Sequence, residues 1–177
     1  MLRRSFLAGV LLSCPVRALS FWQPVASLIA HRVISFDTRT WKAAPGPVVI
    51  HASKSRRGLA WCELPAYADA LQYLKLSRSD LPLGAAVAVA DMYDVVSTNE
   101  WAPPGGGWDE LLVDAPPDRW AFLLEAVHRL TEPVPVAGRQ GIWTVPDPAA
   151  ELIEQRTPHV QTLQEQWAEV GDIDWGL

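Results

Sequence analysis

The stretch 36-FDTRTW-41 places a carboxylate, a guanidinium and an indole at every second position. An extended chain turns alternate residues to opposite sides. Ser35, Asp37, Arg39 and Trp41 therefore share one face, and Ile34, Phe36, Thr38 and Thr40 the other. On such a face Arg39 can offer its planar fork to a phosphate or a base edge, while Asp37 orients that fork or accepts from an exocyclic amine. Trp41 adds a flat surface for stacking, worth about 1–3 kcal/mol per base. The same pattern also describes a solvated strand face, in which an Asp37–Arg39 pair contributes under about 1 kcal/mol and Arg39 adds little to a core.

Other positions could join this chemistry. Gln140, in 138-GRQGIW-143, carries a donor and an acceptor on one amide, and Gly138 and Gly141 allow close backbone approach. Trp143 ends that motif, as a ligand contact or as a ring closing the end of a sheet. His51 ends an apolar run, where it serves either as a hydrogen-bonded rim histidine or as a base. Lys42 and Lys54 lie near the opening motif in sequence. Gln23 is placed to brace a helix that starts beside it.

Composition narrows the function classes. The 177 residues, 49% hydrophobic and 20% charged, suit one globular domain with terminal extensions. A net charge of −5 does not mark a nucleic-acid binder, but the charge is unevenly spread. From His31 to Arg57 the basic residues Arg32, Arg39, Lys42, Lys54, Arg56 and Arg57 face a single acid, Asp37. From Asp147 onward seven acids face one base, Arg156. The basic stretch surrounds the opening motif, and the acidic tail offers a surface for a protein partner.

Cys14 and Cys62 form no disulfide framework and no metal-ligand spacing, and Cys62, after Trp61, reads as a buried thiol. His31, His51, His128 and His159 are scattered, so no metal and no cofactor is expected. Nine tryptophans are the compositional oddity; most should pack in or near the core, but a ring in a cleft can stack on a base. No Walker loop, G-x-G-x-x-G, H-E-x-x-H or G-x-S-x-G occurs.

The positioning elements follow from periodicity and turn residues. Val16 to Phe21 reads as a strand, and Pro24 opens a helix through 24-PVASLIAHRV-33. Residues 34–41 and 48-VVIH-51 read as strands, 54-KSRRG-58 as a basic loop, and 64–76 as a helix with Leu64, Ala68, Leu71 and Leu74 on one face. The run 82-PLGAAVAVADMYDVV-96 reads as a central strand, 97–118 as a loop insertion with little internal order, and 119–130 as a further strand. After Pro148 two acidic helices broken at Pro158 are expected. The leader MLRRSFLAGVLLSC resembles a secretion or lipoprotein signal too short to span a bilayer. The globular pattern beginning at Val16 favours a cytoplasmic protein instead, with export or lipid anchoring through residues 1–14 as the alternative.

Five short patterns in order, 18-ALSFWQPVASLI-29, 37-DTRTW-41, 46-GPVVIHAS-53, 82-PLGAAVAVADMYDVV-96 and 132-EPVPVAGRQGIW-143, resemble the ASCH domain, the activating-signal-cointegrator homology family of the PUA-like superfold. The resemblance implies an α+β fold: a small β-barrel flanked by short helices over 16–146, with 1–15 as leader and 147–177 as a helical extension. It also implies a cleft for RNA or a nucleotide-like ligand, with no DNA specificity. The family signature G-x-K-x-x-E-x-R falls on 32-RVISFDTR-39, where Arg32 replaces the glycine, Ile34 the lysine and Asp37 the glutamate, while Arg39 matches. Some family members are amidohydrolases of acetylated cytidine nucleosides and others ribonucleases, chemistry in which that lysine is implicated. Isoleucine can neither carry a proton nor attack. The expectation is therefore a binding module, with a small hydrolase using Asp37, His51 or Lys54, or a protein-interaction module, as alternatives.

Overall fold

The computed structural model describes residues 15–158, apart from positions 104 and 106. The expected leader over 1–14 and the second tail helix beyond Pro158 lie outside the described residues. Six strands form one sheet: β1 (Arg17–Phe21), β2 (Phe36–Arg39), β3 (Gly46–Ala52), β4 (Ala85–Ser97), β5 (Trp120–Pro135) and β6 (Ile142–Thr144), in the spatial order β2-β5-β4-β3-β1-β6. Only β1 and β3 run parallel, joined by a crossover through the helix α1 (Val25–Ala30) and β2. The central strand reads as buried because it is: Ala85 through Ala90 form an unbroken buried run.

The sheet curls into a half-barrel, and the curl has a local origin. The β4–β5 pairing shifts register three times, between Ala86/Ala88, Val89/Asp91 and Met92/Asp94. Within this stretch Ala126 takes a positive φ of 46°. Each bulge adds a residue to one strand and increases its twist, so a long ladder bends instead of lying flat. Bending brings the edge strand β2 round toward β1, with three strands between them in the sheet order, and Arg39 bridges the gap by donating from Nη2 to the Ser20 carbonyl at 3.2 Å.

Alternation sorts the strand residues into two cores. Leu19, Phe21, Val48, Ile50, Met92, Phe122 and Leu124 face the concave side, where α1 and the helix α2 (Pro65–Tyr73) cover them. Ala18, Val49, Val89, Leu130 and Trp143 face the convex side, where the C-terminal helix α4 (Asp147–Arg156) inserts Ile153. All six residues of α1 are buried, so no amphipathic stripe marks it. Gln23 secures its start: Oε1 accepts the Ser27 N–H at 3.1 Å, and Nε2 donates to the Pro82 carbonyl at 2.8 Å. The brace expected at Gln23 is present, and the residue is fully buried.

Several local expectations need correction. The described residues of 97–118 are held by specific contacts and include a helix, rather than forming a free loop. Asn99 and Asp118 exchange two hydrogen bonds of 2.9 Å across its ends. Inside it the helix α3 (Trp108–Leu112) is seated by Asp109, which accepts from the Ser35 N–H at 2.7 Å and its hydroxyl at 2.5 Å. Gly and Pro density signalled a loop, but those reciprocal side-chain bonds are not visible as periodicity. The basic loop at 54–58 runs into a 3-10 helix, Arg57–Glu63. The α2 face also differs: Ala70 and Leu71 are buried, whereas Leu64 caps the helix and is exposed. Cys62 is half-buried, with burial pushing its thiol pKa up. The tail helix begins at Asp147, ahead of Pro148. No helix among the described residues is long and apolar enough to cross a membrane.

Candidate functional site

β2 pairs antiparallel with β5, setting Asp37 opposite Phe122 and Arg39 opposite Trp120. Directly paired residues share a face, so both polar side chains turn inward toward the concave core rather than to solvent. The Arg39 Nε donates to Asp37 Oδ2 at 2.5 Å, and the guanidinium carbon lies 5.1 Å from the centre of the Phe21 ring. With Nη2 on Ser20, two of the five N–H donors are committed, and only 25% of the Arg39 side chain and 20% of Asp37 remain exposed. Burial pushes the Asp37 carboxyl above its ordinary range; the Arg39 charge and hydrogen bond, the Thr38 backbone N–H and Arg119 oppose that rise. The pair is thus a strut across the mouth of the half-barrel, not the solvated surface pair that the alternation also allowed.

Beside this strut the fold assembles a row of rings. Trp22, just after β1, lies 5.6 Å from Trp61 of the 3-10 helix, tilted by 52°. Trp61 lies 5.9 Å from Tyr67 of α2, nearly parallel at 26°. Trp22 is 41% exposed, and Trp61 and Tyr67 are half-buried, so the row presents ring surface to an incoming group. Close approach explains Gly58: a Cβ there would come within 2.2 Å of the Gln23 carbonyl oxygen and 2.7 Å of the Trp22 Cβ. At the inner end the Tyr67 hydroxyl donates to the Leu112 carbonyl at 2.7 Å. Burial first, then the charges of Asp114 and Asp37, push its pKa up to about 12, so the phenol stays a neutral donor. At the outer end Arg56 and Arg57, both exposed, begin the helix that carries Trp61.

The fold brings together only part of the set read from the sequence. Asp37, Arg39 and Trp41 share the concave side. The Trp41 ring stands edge-on against Phe122 at 5.1 Å and is partly sunk into the core. Lys42 sits 4.3 Å over the Trp120 ring. His51 and Trp143 face the convex side. There the His51 ring meets Trp143 edge-to-face at 5.4 Å, with Nδ1 3.0 Å from Ser20 Oγ and Nε2 3.0 Å from the Val136 carbonyl. Trp143 Nε1 donates to the same Ser20 hydroxyl at 3.2 Å. Burial lowers the His51 pKa, which keeps the ring neutral and satisfied. Gly138 lies directly over it, since a Cβ there would fall 2.2 Å from His51 Cε1. Gln140 is exposed in the turn before β6, and Lys54 is exposed with its stem along Gly84. Ile34, standing at the signature lysine's place, is completely buried.

Trp22, Trp61 and Tyr67 escaped the sequence reading as a group. They belong to three elements, and no local spacing links them; the high tryptophan content was the one available signal. Among the described residues no group of three histidine, cysteine or acidic side chains could hold a metal ion.

No family model matches the sequence, and no curated protein matches it significantly. Solved structures do match. The chain superposes on the crystal structure of ASCH from Zymomonas mobilis with a TM-score of 0.53 at 14% identity, covering 82% of this chain and 98% of that one. Two substituted variants of the same Zymomonas mobilis protein align at TM-scores of 0.48 and 12% identity. The protein shares the fold of that ASCH structure, the fold that the sequence patterns resembled.

Proposed function

We propose that this ASCH-type fold binds single-stranded RNA or a nucleotide-like ligand in the cleft between β2 and the Trp61 helix. The observation that carries the reading is the partly exposed row Trp22–Trp61–Tyr67, with Arg56 and Arg57 at one end and Asp37 with Arg39 at the other. Bases stack on such rings regardless of sequence, while the exposed arginines attract the phosphates that follow them. Asp37 holds a carboxylate where an exocyclic amine of a stacked base could donate. Trp41 supports the cleft wall through Phe122. The assignment is binding rather than turnover, because Ile34 supplies no proton carrier or nucleophile at the signature position.

Titration with a short single-stranded RNA, followed by intrinsic tryptophan fluorescence, tests the reading. Trp61→Ala should weaken binding by about 1–3 kcal/mol, and Trp61→Phe by much less because a ring face remains. Equal affinity of the wild type and Trp61→Ala, or no binding at all, would remove the stacking row from the account.

A further inference from the structure

A second cleft is formed at the start of the Trp61 helix. It encloses about 500 Å³ between the start of that helix and residues 77–83. Arg56, Arg78, Ser77 and Ser79 line its polar wall, over a floor of Leu59, Leu81 and Leu83; among the described residues no carboxylate belongs to the lining itself. We propose that this cleft is a phosphate-ester subsite beside the aromatic row, with which it shares Arg56.

Three features support the assignment. First, the two guanidiniums are available. Arg56 is exposed and has no side-chain partner among the described residues. Arg78 touches only Glu63, at 3.3 Å, with both side chains more than half exposed. A pair of that kind is weak and readily exchanged for a phosphate, which accepts the fork with two oxygens. Second, the acid of the same turn, Asp80, is engaged with Ser77. Asp80 Oδ2 accepts the Ser77 N–H at 2.7 Å and the Ser77 hydroxyl at 2.6 Å, a capping arrangement that fixes the turn Arg78–Asp80. The same turn holds the Ser79 hydroxyl 2.7 Å from that of Ser77; the Ser77 proton is spent on Asp80, so Ser79 is the hydroxyl that can turn to donate to a phosphate. Third, Leu59 and Leu81 are buried, so the floor is a fixed apolar surface against which a sugar or base can lie.

The cleft adjoins the first site. Gln23, the residue after Trp22, donates to the Pro82 carbonyl and lies beneath Gly58. A strand stacked on Trp22 and Trp61 can therefore place a following phosphate between Arg56 and Arg78. Phosphate binding in the cleft stands on its own; its supply by that strand rests on the function proposed above.

Ribose 5-phosphate isolates the subsite, because it has a phosphate and no base to stack. Calorimetric titration should show it binding the wild type and Trp61→Ala alike, while the double variant Arg56→Ala/Arg78→Ala loses at least about tenfold in affinity, as expected for charge-assisted hydrogen bonds. Ser79→Ala should show a smaller loss. Both arginines are exposed, so the double variant should keep the wild-type melting temperature. Absence of ribose 5-phosphate binding, or equal affinity of the wild type and the double variant, overturns the subsite. An oligouridylate titrated at several salt concentrations identifies the source of the phosphate. A shallower salt dependence in the single variant Arg78→Ala, which leaves Arg56 to the aromatic row, by roughly 0.7 for the lost contact, supports a strand phosphate. An unchanged slope overturns the strand as the source.

Discussion

At the residue scale the decisive finding is where Arg39 spends its donors. Its Nε is on Asp37, its Nη2 on the Ser20 carbonyl, and its plane lies over Phe21. An edge-strand arginine read from sequence should be dispensable to the fold, but this one ties β2 to β1 across an open sheet. Arg39→Ala would strand a largely buried Asp37 carboxylate and a bent edge strand. Chemical denaturation should show a loss of about 1–3 kcal/mol, the range for charged hydrogen bonds in a sheltered site. Arg39→Lys should recover only part of it, because an ammonium cannot reproduce the planar fork. A change within about 0.5 kcal/mol for Arg39→Ala would return the pair to the surface class. The alternation that put Asp37, Arg39 and Trp41 on one side was legible in the six residues alone. That this side points inward was not, because it depends on pairing with Phe122 and Trp120 more than eighty residues away.

At the element scale, long apolar runs told more than short ones. β4 and β5 were legible because continuous buried runs and a period of two leave little choice of structure. Their curl was not, since it arises from register shifts and from Ala126 at positive φ, where nothing in the residue type announces a bulge. His51 and Trp143 read as cleft residues because each sits near a strand end. One-residue alternation sends them to the convex face with Ser20, a distinction that only the parallel β1–β3 register resolves. The tail helix shows the same limit. Its acidic face was legible, but whether the tail packs on the sheet or trails from it was not; Ile153, completely buried against the convex core, shows that α4 packs. Arg156 anchors the end of α4 by donating to the Pro133 carbonyl at 2.7 Å and pairing with Glu132. Ile153→Ala should therefore cost about 2–4 kcal/mol, measured by thermal or urea unfolding. A cost below about 0.5 kcal/mol would mean that α4 lies on the sheet without contributing to its stability.

At the scale of the whole molecule, one curled sheet separates two chemically different faces. The concave face carries the strut Asp37–Arg39 and the open ring row Trp22–Trp61–Tyr67, whereas the convex face closes Trp143 and His51 under α4 and Gly138. The tryptophans among the described residues thus report on both sides of the same molecule. Each indole N–H gives its own resonance in a proton–nitrogen correlation spectrum, assignable by single Trp→Phe substitutions. Titration with a short single-stranded RNA should shift the Trp22 and Trp61 indole signals first and most. Trp143, whose indole donates to Ser20 on the far face, should stay in place. Shifts confined to Trp143, or a spectrum unmoved at saturating RNA, would contradict a ligand cleft on the concave face.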